Sequence, residues 1–572
     1  MCVRMVDSDT RRRYLQLLTA GLSTTVAGCS SVLDADGPGS DPTTTATDDA
    51  PEKIDDWQYD PPERGGGGGS LLPLGSSSSG VALSSAQSGS SAGGDVGLAA
   101  GGAQDTTTFR RNIENELPAD TEQCPPDVLA LGLDQADFLA AMAPKPAVIM
   151  GKQQDFFDVR GTREAYRRLQ HLYGLLGKRE NIRLFVGPGP HGYSRENREA
   201  MYRLFNDVTG ISDATEEPDI TIEEDSDLWC APDGQVCRLD SRTVHSFTKA
   251  KSRRLAEERS SDLSGPELKS HIIHVLGLRE LANASIDAQA ETGLAMTVES
   301  AKRAKDNSIS SVKSMSSVRT VYPGGSLWKG CRGNMPDYRI LQVWLSRDYP
   351  KRHATTYMVK TEPGIHAVVY RLSDRRLRQP PREKTRAVLY VSHKSSDAEL
   401  RDEPLIGTLM KKEPDAAFYT CDVRGIGESR PDTTNRSWLH PYGADFFYAA
   451  HSIMLSTPAL GQRTWDVLRV LDWLNGIGHE EVHLVGKGWG ALPATFAALL
   501  SDRVTQVTLK HPLTSYSDVA ESETYEWPLS CLLPGVLEEF DLRACYEALQ
   551  EKELRQIEPW GPDMQVVGEY EE

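Results

Sequence analysis

The sequence predicts an α/β fold: a mostly parallel sheet with flanking helices. Two observations carry this. Short apolar runs bounded by proline or glycine recur, as in Pro146-Ala147-Val148-Ile149-Met150-Gly151, the pattern of strands buried on both faces. Amphipathic helical stretches alternate with those runs, and such alternation is the mark of a layered α/β architecture.

In chain order, the strand ending at Gly151 is followed by a helix from Arg163 to Leu176, where Tyr166, Leu169, Leu172, Tyr173 and Leu176 recur at helical spacing and Gly177 gives the stop. A strand over Ile182 to Val186 and a helix over Arg195 to Phe205 complete the first β-α-β-α run. Residues 212–330 read as a mainly helical connector, with helices near Glu267 to Ala282 and Ala290 to Ala304 and no chemistry of their own. From about residue 355 the pattern returns. Strands are predicted at Gly364 to Tyr370, Ala387 to Ser392, Ala416 to Val423, Glu481 to Val485 and Val504 to Leu509. The clearest helix runs from Gln462 to Leu474, with Trp465, Leu468, Leu471 and Leu474 on one face and Asn475-Gly476 as its stop.

The ends of this pattern differ in composition. Thr10-Arg11-Arg12-Arg13-Tyr14-Leu15-Gln16 matches a twin-arginine export signal, and Val26-Ala27-Gly28-Cys29 resembles a lipobox, which predicts lipidation at Cys29. Residues 1–29 are therefore read as an address and the mature chain as tethered outside the cell membrane, touching it through the lipid alone. Residues 30–114 are read as a disordered Gly/Ser-rich spacer, since runs such as Gly65 to Gly69 bury too little apolar surface to offset ordering entropy. Globular segments follow at 115–211 and 331–572. The 572 residues carry a formal net charge of −19, which argues against nucleic acid as a partner. Nine scattered cysteines form no paired framework and no zinc motif; Cys230 and Cys237 could make one local bridge at most. No metal or cofactor motif is read.

Acyl transfer needs a nucleophile, a histidine to take its proton and an acid to orient the histidine. Gly486-Lys487-Gly488-Trp489-Gly490 follows a strand and opens a helix, as a nucleophile elbow of the form Gly-x-Ser-x-Gly does. Its middle position is Gly488, which adopts the turn without strain but has no oxygen to attack a carbonyl. Trp489 is the residue whose amide would serve an oxyanion hole. Gly89-Ser90-Ser91-Ala92-Gly93 also spells the motif, but no strand precedes it and no helix follows, so Ser91 is read as a decoy. Asp155 and His191 stand just past two predicted parallel strands, where open α/β sheets build their sites, and pair as acid and base candidates. Asp158 is the second-choice acid.

Leu131-Gly132-Leu133-Asp134-Gln135-Ala136-Asp137-Phe138, Ala143-Pro144-Lys145-Pro146 and the run from Gln154-Asp155-Phe156-Phe157-Asp158 to His191-Gly192-Tyr193 resemble the C-terminal part of acetyl-xylan-esterase-like α/β-hydrolases. Asp422-Val423-Arg424-Gly425-Ile426-Gly427-Glu428-Ser429 and Lys487-Gly488-Trp489-Gly490 resemble the second, degenerate domain of the long tandem members. The resemblance implies an α/β-hydrolase fold, an ester or acetylated polysaccharide as substrate, no cofactor, Asp155 as triad acid and His191 as triad histidine. Each unit lacks what the other keeps. That predicts complementation, with the strand at 146–151 pairing beside the strand at 504–509 so that His191 approaches Gly488.

Overall fold

The computed structural model describes residues 107–114, 124–260, 263, 265–279, 317–318, 328–329, 338–345, 348–376, 385–431 and 443–567. The export signal with Cys29, Ser91 and most of the spacer, and the helix expected at Ala290 to Ala304 lie outside them. In chain order come α1 (Phe109–Glu114), α2 (Gln135–Ala140), β1 (Ala147–Gln154), α3 (Val159–Leu175), β2 (Ile182–Pro190), α4 (Arg195–Thr209), α5 (Val244–Glu258) and α6 (Gly265–Val275). A two-residue ladder joins β3 (Ser317–Val318) to β4 (Trp328–Lys329). Then follow β5 (Tyr338–Leu345), β6 (His353–Glu362), β7 (Ile365–Ser373), β8 (Ala387–Val391), α7 (Ser396–Asp402), α8 (Pro404–Lys412), β9 (Ala417–Asp422), α9 (Gly443–Met454), α10 (Ala459–Gly476), β10 (Val482–Lys487), α11 (Ala491–Leu500), β11 (Val504–Lys510), α12 (Tyr516–Glu521), α13 (Val536–Glu539), α14 (Leu542–Ala548) and β12 (Arg555–Ile557).

Eight strands form the main sheet in the order β12-β11-β10-β8-β9-β7-β6-β5. From β9 to β12 all neighbours are parallel, while β7 runs antiparallel to both β6 and β9. Both faces are buried, and the residues of one strand alternate between them. Leu389 and Val391 face a core with Val470, Leu474 and Phe496, while Val388 and Tyr390 face Leu400, Ile406 and Leu409. This is an α/β fold with a mostly parallel sheet and flanking helices, as the apolar runs predict. The sequence misses β5, β6 and β12, because half-polar or three-residue strands leave no apolar run to read. The buried face of α10 is rotated from the expected one: Leu471 and Leu474 are fully buried, but Trp465 and Leu468 only partly, with Val467 and Val470 taking the inner positions.

One expectation is overturned. β1 pairs with β2 alone, in a separate two-stranded parallel sheet, and β11 already has β10 and β12 on its two edges. No edge is left on β11 for residues 146–151, so the two segments do not complement each other within one sheet. The smaller region is instead docked through its N-terminal turns. Val128 and Phe109 pack against Phe447, Ala450 and Met454 of α9, and Asp127, Leu129 and Ala130 donate backbone hydrogen bonds to Ile453 and Met454 at 3.0–3.1 Å.

Candidate functional site

Two candidate centres follow from this topology, one at the carboxyl end of each sheet. In the smaller sheet Gln154 stands in register with Pro190, so the next residues, Asp155 and His191, emerge side by side. His191 Nδ1 lies 2.9 Å from Asp155 Oδ1. The Asp155 carboxylate is fully buried, and the same Oδ1 accepts the Phe157 amide at 3.1 Å. Phe156 stacks on the imidazole at 4.2 Å, which fixes the plane of the ring. With Nδ1 turned to the carboxylate, Nε2 is the atom presented for proton transfer, which is the orientation an acid–histidine pair needs. Asp158 does not join them; it caps α3, accepting the Arg160 amide at 2.8 Å.

The second centre is the turn between β10 and α11. Gly488 has φ +51°, in the left-handed region where a β-carbon is strained. Gly486 lets β10 touch the start of α11, and Gly490 lets the turn touch the end of β8, since a β-carbon on either would meet that backbone. The backbone path of an elbow is therefore intact. A β-carbon on Gly488 would overlap the His393 imidazole. The Trp489 amide, the expected oxyanion donor, points at His393 Nδ1 at 3.1 Å.

His393 lies two residues beyond β8, the strand beside the elbow strand. Its ring is held edge-on between Trp489 and Trp560, at 5.4 and 5.7 Å. Burial, with the nearby cations Lys394 and Lys487 and with His511, lowers its pKa to about 3, so the ring is neutral at pH 7 and Nδ1 can accept. The loop it begins is where a hydrolase draws its second oxyanion donor. Here those amides are also engaged. His393, Lys394 and Ser395 donate to the Glu399 carboxylate at 3.2, 2.9 and 3.3 Å, and the Ser396 amide donates to Asp422 at 2.7 Å. Asp422 is buried, and burial raises its pKa even against these donors. Beside the turn, Lys487 and Lys510 both pair with Glu403. Burial alone would raise that carboxyl's pKa, but the two lysines and the Leu405 amide bring it down to about 2.

Of the sequence candidates, Asp155 and His191 come together, while Gly488 and Trp489 share a turn with a residue that sequence reasoning missed, His393. Its one signal was its position just past the carboxyl end of a predicted buried strand. Asp155 and His191 follow strands of one sheet, and Gly488 follows a strand of the other. Among the described residues no group of three or more His, Cys, Asp or Glu side chains could hold a metal ion, and no helix is long and apolar enough to cross a membrane.

The fold thus defines an α/β protein with a mostly parallel sheet and flanking helices. No family model and no curated protein sequence matches the chain. Among solved structures it is similar to a protein provisionally classed as an acetyl xylan esterase from Bacteroides fragilis, with 14% identity, TM-score 0.32, 39% of this chain and 63% of that one covered. It is also similar to an acetyl xylan esterase from Paenibacillus, with 18% identity, TM-score 0.24, 38% of this chain and 68% of that one. An epoxide hydrolase from Mycobacterium thermoresistibile shares 20% identity at TM-score 0.18, over 28% of this chain and 39% of its own. The chain spans less than two thirds of the length of the first of these.

Proposed function

We propose that the protein is an α/β-hydrolase-type relative of carboxylic, acetyl-xylan-type esterases whose elbow unit serves as a non-catalytic binding or interaction module. The observation that carries this reading is the bond between the Trp489 amide and His393 Nδ1, at 3.1 Å, beside a Gly488 that has no side-chain oxygen. Nucleophile and oxyanion donor are both missing from one turn, and what survives when a nucleophile alone is lost depends on that donor. Export by the twin-arginine route, a lipid tether at Cys29 and an acetylated polysaccharide as ligand belong to the same proposal and rest on the sequence alone. The test is p-nitrophenyl acetate turnover by the purified chain beside its His191→Ala variant. The reading expects the two rates to be equal and near the uncatalysed background.

A specific observation favours a second reading. Asp155 and His191 are joined at 2.9 Å with the carboxylate buried, the geometry of a working acid–base pair. If a nucleophile reaches His191 from elsewhere, the protein is a carboxylic ester hydrolase. Turnover well above background that His191→Ala abolishes would select this reading over the first.

A further inference from the structure

Helix α5, in the connector where the sequence suggests no chemistry, is attached to the large unit in an unusual way. Ser252 is its one buried residue, while Val244 and Phe247 are exposed, so no apolar stripe of its own is packed beneath it. Its ties are polar and lie around the edge. His245 Nε2 is 3.2 Å from the Glu521 carbonyl, Ser252 Oγ donates to Glu521 Oε1 at 3.2 Å, and Arg253 Nε donates to Oε2 at 2.8 Å. Lys251 pairs with Glu538 at 3.2 Å, and Arg259 donates to the Leu537 carbonyl at 2.8 Å. Inside this polar ring is a hollow of about 490 Å³ walled by Leu255, Val519, Leu532, Leu533, Val536 and Leu537.

We propose that this hollow is a binding site for an uncharged alkyl chain, such as that of a fatty alcohol or a neutral lipid. Three features set the ligand class. The volume lies in the range of small-molecule sites, which bury most of an apolar ligand. The walls are mainly aliphatic, with Tyr516 and Tyr525 also on the lining, so what they chiefly offer a ligand is dispersion and exclusion of water. Lys251 on the wall is paired with Glu538, and Glu523 adds a further carboxylate to the lining, so an anionic head group would have to break an existing pair to gain one. His393, Gly488 and Trp489 do not line the hollow, and the inference stands apart from the reading of the elbow.

The experiment is calorimetric titration of the full chain with 1-decanol, beside decanoate at pH 8. Saturable binding at one site is expected, with decanoate at least tenfold weaker. Ala520→Phe, which fills the hollow from α12, is expected to weaken decanol binding at least tenfold with the melting temperature unchanged or raised. Should that variant not fold, Leu255→Phe on the facing helix serves the same purpose. Absence of saturable binding by the folded wild type overturns the proposal. So does binding that persists undiminished in a folded filled variant, or decanoate binding as tightly as decanol.

Discussion

The ends of the two sheets offer a controlled comparison. At Asp155 and His191 an acid–base pair is joined by a hydrogen bond, with Phe156 and the Phe157 amide holding it in place. At Gly488 the backbone follows the path of an elbow, but the space and the donors are occupied by His393 and Glu399. The difference is physical. An acid–histidine pair is a charge-assisted hydrogen bond that sustains itself once one partner is buried. An oxyanion hole is a set of unsatisfied amides, and an unsatisfied buried amide is costly unless a ligand or another side chain accepts from it. Here the Trp489 amide and those of His393, Lys394 and Ser395 have partners in their own chain.

If that account holds, the elbow unit has a polar frame whose removal is far more damaging than any change at the turn. Arg424 is bonded to the fully buried Asp466 through its amide and guanidinium at 2.6–2.9 Å and to Glu362 at 2.5 Å. Asp466→Ala leaves that guanidinium without its main partner and should cost about 3–5 kcal/mol, measured by chemical denaturation. A loss below about 1 kcal/mol would mean that this frame does not hold the unit together.

The next effect is one of pH. The folded pKa of His393 is about 3 against an ordinary value of 6.5, so the unfolded chain binds the proton more tightly. The stability contributed by the neutral ring is complete above about pH 6.5 and is lost as pH falls toward 3, at up to about 1.4 kcal/mol per unit. Denaturation curves for wild type and His393→Gln at pH 7, 5 and 4 isolate this contribution. The gap between the two proteins should narrow steadily toward acid, and a constant gap would show that His393 is not held neutral against the Trp489 amide.

A smaller effect is expected at the turn itself. Gly488→Ala places a β-carbon in the left-handed region and against the imidazole, at an expected cost of about 1–3 kcal/mol. Combined with His393→Gly, the cost should be less than the sum of the two single changes by about 0.5–2 kcal/mol. Strict additivity would show that ring and turn do not compete for the same space.

Much of this was legible in the residues. The parallel strands at 387–392, 416–423, 481–485 and 504–509 announce themselves as apolar runs because both faces of each are buried, and the acid–histidine pair could be read from its place after two such runs. The antiparallel edge was not legible, because β5 and β6 mix polar and apolar residues. Sheet membership was not legible either. Strand β12 has three residues, Arg555–Ile557, with no apolar signature, yet it occupies the edge of β11 that the sequence reserves for residues 146–151. His393 was hidden for another reason: a plug is defined by what it touches across about a hundred residues of chain, and no local pattern encodes that.

The central claim is that the two centres belong to different sheets and that the elbow is filled, so a serine placed at position 488 does not complete a triad. The measurement is p-nitrophenyl acetate turnover by Gly488→Ser, alone and with His191→Ala. The account predicts that Gly488→Ser stays at the wild-type rate and that His191→Ala changes nothing further. A rise of a hundredfold or more on Gly488→Ser that His191→Ala then removes would contradict it, because it would place Gly488 and His191 in one active site.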